Sequence, residues 1–109
     1  MPKYLIKANY TPPAGVQGLI ADGGTARVKA VEQLLASIGG KIEAFYFALG
    51  DVDVYTIIDV PDAASAAALS LTVSASGLAT TSTVALMTPE EIDAAVKKSP
   101  LYDAPGPTA

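Results

Sequence analysis

Hydrophobic and polar residues alternate along several short stretches of the chain, and this pattern predicts four β-strands. In residues 3–10, KYLIKANY, every second side chain is apolar or aromatic, which is the period of a strand with one buried face. Further strands are predicted at 41–49, 53–60 and 78–87. The run at 41–49 is apolar on both faces, so we expect both to be covered. Only a short link separates it from 53–60, so these two strands are expected to form an antiparallel hairpin.

Apolar residues recur at helical spacing in residues 25–38, which predicts an amphipathic helix packed on a sheet. Thr25 is expected to cap its start. The glycines at 39 and 40 are expected to end it, because glycine readily adopts the left-handed conformation that a C-cap needs. Prolines at 12 and 13 end the first strand, because proline cannot donate a hydrogen bond to a sheet. A single helical turn is predicted after them, at 16–21.

Two further helices are predicted from their N-terminal signals. Asp62 is a natural N-cap for an alanine-rich run that we assign as helix to about residue 75. The alternation at 69–75 is also typical of a strand, and helix is preferred because residues 78–87 fill the fourth strand position. The sequence TPEE at 88–91 is a capping box with proline at the first helical position. It predicts a short helix that ends near residue 98.

The predicted order, β–α–β–β–α–β with a C-terminal helix, is typical of an α+β fold with split βαβ, or ferredoxin-like, topology. In that plan one four-stranded antiparallel sheet carries both helices on one face. The other face is expected to hold Leu5, Phe45, Phe47, Leu49, Tyr55 and Ile57, or their neighbours if the facing is inverted. Such a face is too apolar for water, so two copies are expected to stack as a dimeric α+β barrel. We treat residues 1–98 as one domain and 99–109 as an extended, proline-rich tail.

Composition restricts the chemistry that the chain can perform. The 109 residues contain no His and no Cys, which excludes Ser–His–Asp and Cys–His catalysis and the ordinary zinc sites. No cofactor and no metal are expected. The seven Lys and Arg residues are scattered and the net charge is −4, so neither nucleic acid nor an anionic membrane is an expected partner. No apolar run reaches the ~18 residues of a membrane helix, and the N-terminus lacks a signal-peptide pattern. We expect a cytoplasmic protein.

Five polar residues are candidates for binding a ligand: Asn9, Arg27, Glu43, Asp53 and Tyr55. Asp53 lies two residues before Tyr55, so the two would share a strand face, where a carboxylate can orient or deprotonate a phenol. Asn9 lies at the end of the first strand, where it could donate to a polar pocket. Arg27 is in the first turn of its helix, where a cation is mildly disfavoured, so it could bind a carboxylate of the protein or of a ligand.

Each candidate also has a structural interpretation. Asp51 and Asp53 fit turn formation, Asn9 fits the end of a strand, and Arg27 fits solvated surface. A carboxylate such as Glu43 on a covered strand face must be paired or carry a raised pKa, and Lys7 and Arg27 are possible partners. The functional and the structural interpretations both stay open at this stage.

Several segments together resemble the GYD domain family: KYLIKANYT, GGTARVKAVEQLL, GGKIEAFYFALGDVDVY, PDAASAAAL, ASG and TPEEIDAAVKKS. The resemblance covers about residues 3–102. The family is named for a Gly-Tyr-Asp signature, and this chain reads Gly-Asp-Val-Asp at 50–53, with Val52 in place of the tyrosine. The resemblance implies a small bacterial protein similar in plan to dimeric α+β barrels, and self-association. It implies no reaction.

These features favour a self-associating protein that binds a small molecule in an apolar pocket with a few polar groups. One alternative is a cofactor-independent enzyme, monooxygenase- or isomerase-like, that acts on a small aromatic or enolisable substrate. A second alternative is a structural oligomerisation module. Convergence of the polar candidates on one cavity would favour binding or catalysis, whereas a sealed apolar interior would favour the structural module.

Overall fold

The computed structural model describes residues 1–107, which form four strands and four helices. They follow in the order β1 (Lys3–Tyr10), α1 (Ala14–Asp22), α2 (Gly24–Ala36), β2 (Lys41–Phe47), β3 (Val54–Asp59), α3 (Ala63–Ala75), β4 (Ala79–Leu86) and α4 (Pro89–Val96). The strands form one sheet in the order β2-β3-β1-β4, and every neighbouring pair is antiparallel. The α+β class and the ferredoxin-like topology are thereby confirmed.

The first two helices differ from their predicted bounds. Instead of a single turn, α1 is a nine-residue helix. It starts directly after Pro13, since a proline at the start of a helix lacks only an N–H that would have no intrahelical acceptor. The prediction that Thr25 caps α2 is wrong, because the N-cap is Gly23 and no side chain caps this helix. Gly23 has φ +78° and makes the sharp reversal between α1 and α2, which leaves no position for a separate capping residue.

The last two helices begin where their capping signals predict. The Asp62 carboxylate accepts a hydrogen bond from the backbone N–H of Ser65 at 2.8 Å and caps α3. Thr88 and Glu91 form the reciprocal capping box of α4. The ambiguous segment 69–75 is helical, as assigned. These ends are predictable because a capping side chain reaches a backbone group only three residues away.

A β-bulge interrupts the pairing of β2 with β3. Ile42 lies opposite Ile58, whereas Ala44 lies opposite Ile57, so Glu43 is an extra residue on β2. An extra residue reverses the facing of every side chain after it, because strand side chains alternate with a period of two.

The bulge decides which aromatic residues face the helices. Phe45 lies opposite the buried Thr56 and therefore faces the helices, whereas Tyr46 lies opposite Tyr55 on the other face of the sheet. The prediction that Phe45 and Phe47 share the face without helices is wrong for this reason. Their rings contact each other edge to face at a centroid distance of 5.4 Å.

The core lies between the sheet and the helices α2 and α3. Its buried cluster consists of Ile6, Leu35, Ile58, Val60, Ala66 and Leu69. Leu35, Ile58 and Val60 are completely buried, and each such aliphatic side chain stabilises the fold by about 1.5–3 kcal/mol. The smaller helix α1 packs beside α2 at the end of β1, where the cavities described below occur.

The opposite face of the sheet, which we call the open face, has no helix packed on it within residues 1–107. Alternation and register place on it the apolar or aromatic residues Leu5, Ala44, Tyr46, Tyr55, Ile57, Val84 and Leu86, together with the polar residues Lys3, Lys7, Asn9, Lys41, Asp59, Thr80 and Ser82. Tyr46 is 72% exposed, Tyr55 41% and Val84 40%. The structure thus leaves a sheet face with aromatic and aliphatic side chains between polar ones uncovered in a single copy of the chain.

The C-terminal arm, defined as residues 88–107, extends away from the sheet. Every residue of α4 is exposed, and the described chain measures 63 × 31 × 23 Å. Its radius of gyration is 17.9 Å, against about 13–14 Å for a compact domain of this length. Residues 99–107 of the predicted tail form neither helix nor strand, and residues 108 and 109 lie outside the described part. No helix within residues 1–107 is long and apolar enough to cross a membrane.

Candidate functional site

Two of the polar candidates, Asn9 and Asp53, meet where β1 ends and β3 begins. The Asn9 side-chain oxygen accepts a hydrogen bond from the backbone N–H of Asp53 at 3.0 Å. In return, the Asp53 carboxylate accepts from the backbone N–H of Tyr10 at 2.9 Å. The pair joins the two strand ends across more than 40 residues of sequence. Asp53 also lines the second of the cavities described next.

Three cavities share Tyr10 as a lining residue. The first has a volume of about 290 Å³ and lies between α1, the end of α3 and the start of β4. The second, about 540 Å³, lies between α1 and the end of β2, against Phe47 and Leu49. The third, about 70 Å³, lies in the core beneath α2 and α3. Leu19 borders the first two cavities, and Arg27 borders the first and the third.

Arg27 provides a cation at the walls of two cavities. Its Nη1 donates to an Asp22 carboxylate oxygen at 3.5 Å, the upper limit for such a bond. Its Nε is buried and has no acceptor among residues 1–107. A buried donor without an acceptor costs about 1–3 kcal/mol. The sequence suggested that Arg27 could bind a carboxylate, and Asp22 provides one. The contact involves only Nη1 and leaves Nε without an acceptor.

Glu43 lies at the opposite end of β1 from Tyr10, in an ion-pair cluster. Lys3 Nζ donates to Glu43 at 3.0 Å and to Asp59 at 2.9 Å. The predicted pairing of Glu43 is thus found, but its partner is Lys3 rather than Lys7 or Arg27. The hydrogen bond to Asp59, followed by the one to Glu43, raises the pKa of Lys3 above 10.5. No group of three or more Asp, Glu, His or Cys residues in the described range is arranged to hold a metal ion.

Tyr55 is separated from Asp53, although the sequence predicts a shared face. Asp53 precedes β3 and turns its carboxylate to the backbone of Tyr10. Tyr55 lies on the open face, opposite Tyr46 and Lys7. Alternation applies only from Val54 onward, because residue 53 lies in a bend where the period of two does not hold. The predicted carboxylate–phenol pair is therefore not formed.

The phenol at the cavities is instead Tyr10, which is not one of the five candidates from the sequence. One feature of the sequence could have indicated a cavity at Tyr10: it is the last residue of the alternating pattern of β1 and directly precedes the sequence TPP. Such a side chain is inward-facing, yet it lies where the strand ends and the first helix leaves the sheet. Of the five candidates, the structure brings Asn9, Asp53 and Arg27 to the Tyr10 end of the sheet. It places Glu43 and Tyr55 elsewhere.

Fold and cavities together define a small α+β protein of ferredoxin-like topology, with apolar cavities that carry a few polar groups between helices and sheet. A family model described as the GYD domain matches residues 4–96. The match extends from β1 to the end of α4, so this protein belongs to the GYD domain family. Among curated proteins and solved structures, none matches the chain significantly.

Proposed function

We propose that this protein binds a small molecule in the Tyr10 cavities and associates with a second copy of itself. The observation that carries the binding proposal is that three cavities share one lining residue, Tyr10, and that their mostly apolar walls include the charged side chains of Asp22, Arg27 and Asp53. Pockets for small ligands are mostly apolar, contain a few polar groups and measure about 300–1,000 Å³. The two larger cavities, about 290 and 540 Å³, match this description.

Binding is favoured over catalysis by the arrangement of the polar groups. A general base must reach the proton that it abstracts. Asp53 is the carboxylate hydrogen-bonded to Tyr10, and the oxygen in that bond accepts the backbone N–H of Tyr10. The carboxylate–phenol pair on which the enzyme hypothesis depends is not formed, since Tyr55 lies on the open face. The open cavities also argue against a purely structural module, for which a sealed interior is expected.

Substitution of Gly18 by leucine is expected to weaken ligand binding without disturbing the fold. Gly18 lines the first cavity, and an added Cβ there meets no atom within 4 Å. The leucine side chain would therefore occupy cavity space. The measurement is an NMR titration of wild type and variant with a panel of neutral aromatic compounds that includes indole and phenylacetamide. We expect affinities to fall about tenfold or more, the equivalent of losing about 1.4 kcal/mol of contacts.

The matched control is Gln17→Leu. Gln17 is the preceding residue of α1, is exposed, and lines none of the three cavities. This variant is expected to bind the panel like the wild type. Equal loss of binding in both variants, or no binding of any compound by the wild type near Tyr10, would count against the proposed site.

Self-association is supported by the size and composition of the open face. Strands of up to eight residues in a four-stranded sheet give a face of about 27 Å by about 19 Å. Two stacked faces would bury roughly 1,000 Å², which is near the lower limit for a specific interface. A second copy is the occupant that we propose, because the aromatic and aliphatic side chains on this face are self-complementary in chemistry and a two-fold axis pairs identical surfaces.

The C-terminal arm supplies additional area for the same interface. Its apolar side chains are exposed in the single chain: Ile92 is 47% exposed, Val96 73%, Leu101 103% and Tyr102 80%. An arm that extends beyond its own sheet can reach a neighbouring copy. Contact of these side chains with the second copy would raise the buried area into the usual range of about 1,200–2,000 Å².

Tyr55→Lys is expected to convert the assembly into a monomer. The new cation would lie beside Lys7 on each copy, and like charges at the centre of a stacked interface are unfavourable. Light scattering coupled to size exclusion at micromolar concentration measures the mass. Leu71→Lys is the control, because Leu71 is 71% exposed on α3, which lies on the opposite face. The proposal fails if the wild type is itself a monomer, or if both variants dissociate equally.

A further inference from the structure

The second cavity, which we call the α1–β2 groove, has apolar side chains at its walls that are exposed to solvent. Ile20, Phe47 and Leu49 line it, and all three are exposed in the single chain. Its volume of about 540 Å³ has room for an aromatic and an aliphatic side chain together. An exposed group of apolar side chains of this kind is typical of a surface that contacts a protein.

The charge at the groove is negative. Asp53 is the only charged residue among the described residues that line it, so no Lys or Arg belongs to these walls. Asp51 adds a second carboxylate nearby, because it is exposed in the turn between Leu49 and Asp53. A segment that fits the groove by charge therefore carries cations next to its apolar side chains.

Residues 97–102 of the C-terminal arm, KKSPLY, combine these two features. Lys97 and Lys98 are the only adjacent cations in the sequence, and no acidic residue lies within the segment. Leu101 and Tyr102 follow them, and both are largely exposed in the single chain. Residues 98–102 form neither helix nor strand, so the segment is free to lie extended along a groove.

The open face is a poorer fit for the same segment. It carries Lys3, Lys7 and Lys41 but only one acidic residue, Asp59, and Asp59 is already paired with Lys3. A segment with two lysines would meet like charges there, which is unfavourable at an interface. Of these two exposed surfaces, the groove is therefore the one that complements the arm in charge.

The start of the arm decides which copy's groove it can fill. Strand β4 ends at Leu86, opposite Lys3 at the start of β1, whereas the groove lies at the Tyr10 end. In a stacked pair whose strands run in opposite directions, the end of β4 of one copy lies at the Tyr10 end of the other. Helix α4 spans about 12 Å, and residues 97–102 add about 20 Å. This reach exceeds the roughly 20 Å across the gap between two sheets and one layer of helices.

We infer that the C-terminal arm of each copy docks in the α1–β2 groove of the second copy. Leu101 and Tyr102 would lie against the apolar walls, and the two lysines near the carboxylates. This inference rests on the proposed self-association and makes the second copy part of the binding site. Tyr10 and Leu19 line both the groove and the first cavity, so the docked arm would cover one side of the residues that the small molecule contacts.

The experiment measures which residues the arm approaches in a second copy. The chain contains no Cys, so Asp103→Cys takes a nitroxide spin label at one position, directly after Tyr102. The labelled protein is mixed with ¹⁵N-labelled wild type at a concentration at which light scattering shows a dimer. Signal broadening in the wild type then reports only contacts between copies. We expect the amide signals of Ile20, Gly24 and Leu49 to lose most of their intensity. Gln33, near the other end of α2, should keep its intensity.

Variants of the spin-labelled chain test each part of the contact. Replacing both Leu101 and Tyr102 by serine should remove the broadening at the groove. Replacing both Lys97 and Lys98 by glutamine should lower the ratio of docked to undocked arm about two- to fivefold, as the loss of exposed ion pairs implies. Lys29→Gln is the charge control, since Lys29 is exposed on α2 and lines none of the three cavities. This variant should dock like the wild type.

Broadening at open-face residues instead of the groove overturns the inference and leaves the proposed self-association intact. A dimer without any broadening between copies has the same consequence. Groove signals that broaden only when the isotope and the spin label are on one chain assign the arm to its own groove and also overturn the inference. So does broadening that persists in the double serine variant. A wild type that is monomeric overturns the inference and the proposed self-association together.

Discussion

Gly15→Ala is expected to lower the free energy of unfolding by about 1–3 kcal/mol, the usual cost of overpacking a filled site. Gly15 is buried in the first turn of α1. A Cβ built there lies far inside van der Waals contact of the Leu78 carbonyl oxygen and 3.0 Å from its carbonyl carbon. These are backbone atoms, so no side-chain rotation relieves the clash. The same oxygen accepts the Thr11 N–H at 2.9 Å, which holds it in place.

Urea unfolding of Gly15→Ala and Gly18→Ala measures this effect with a control inside the same helix. At Gly18 an added Cβ meets no heavy atom within 4 Å. Alanine there should stabilise α1 by up to about 1 kcal/mol, because glycine is the weaker helix former. If the two alanine variants unfold at the same urea concentration, the close approach of α1 to the start of β4 is not what positions this helix.

Asp59→Asn is expected to destabilise the fold by about 1.5–3 kcal/mol, the range for a hydrogen bond to a charged group. Asp59 ends β3, its side chain is only 9% exposed, and it accepts from Lys3 Nζ at 2.9 Å. Glu43→Gln is the matched control, because Glu43 accepts from the same ammonium at 3.0 Å but is 46% exposed. Loss of the Lys3–Glu43 ion pair in this variant should lower the free energy of unfolding by less than about 1 kcal/mol. Equal costs for the two variants would show that burial does not set the strength of these two contacts.

The same cluster makes stability depend on pH at the alkaline end. The pKa of Lys3 is raised above 10.5, chiefly by the hydrogen bond to Asp59. The folded protein therefore holds this proton more tightly than the unfolded chain does. The resulting stability is fully present below pH 10.5 and is lost as the pH rises through the higher, folded-state value. The difference between wild type and Asp59→Asn, measured by thermal unfolding, should therefore decrease above that pH.

Elements whose ends carry a local signal could be predicted closely from the sequence. The cap at Asp62 and the box at Thr88 each act over three residues, so the starts of α3 and α4 follow directly. The bulge at Glu43 has no such signal, because a bulge is defined by the register with a partner strand. The facing of Phe45 and the other aromatic residues of β2 was consequently open to error.

The sequence predicted which residue types form the candidate site, but not which residues they contact. The sequence identified Asn9 and Asp53, but their mutual hydrogen bonds join positions 44 and 43 residues apart. It indicated a basic partner for Glu43, yet which lysine fills that role depends on the pairing of β1 with β3. The sequence pattern does not predict that Tyr10 lines cavities. A cavity is the space left between several packed elements, so no single segment of the sequence encodes its position.

The sequence by itself determined the order of the four strands and of α2, α3 and α4, the topology that this order favours, and membership of the GYD domain family. These features depend on periodicity and capping within a few residues, so they can be recognised along one segment at a time. Only the tertiary structure decided that Tyr55 faces away from Asp53, and that Arg27 and Tyr10 share a cavity wall. Such relations depend on register and on the gaps between packed helices, which arise when distant segments come together.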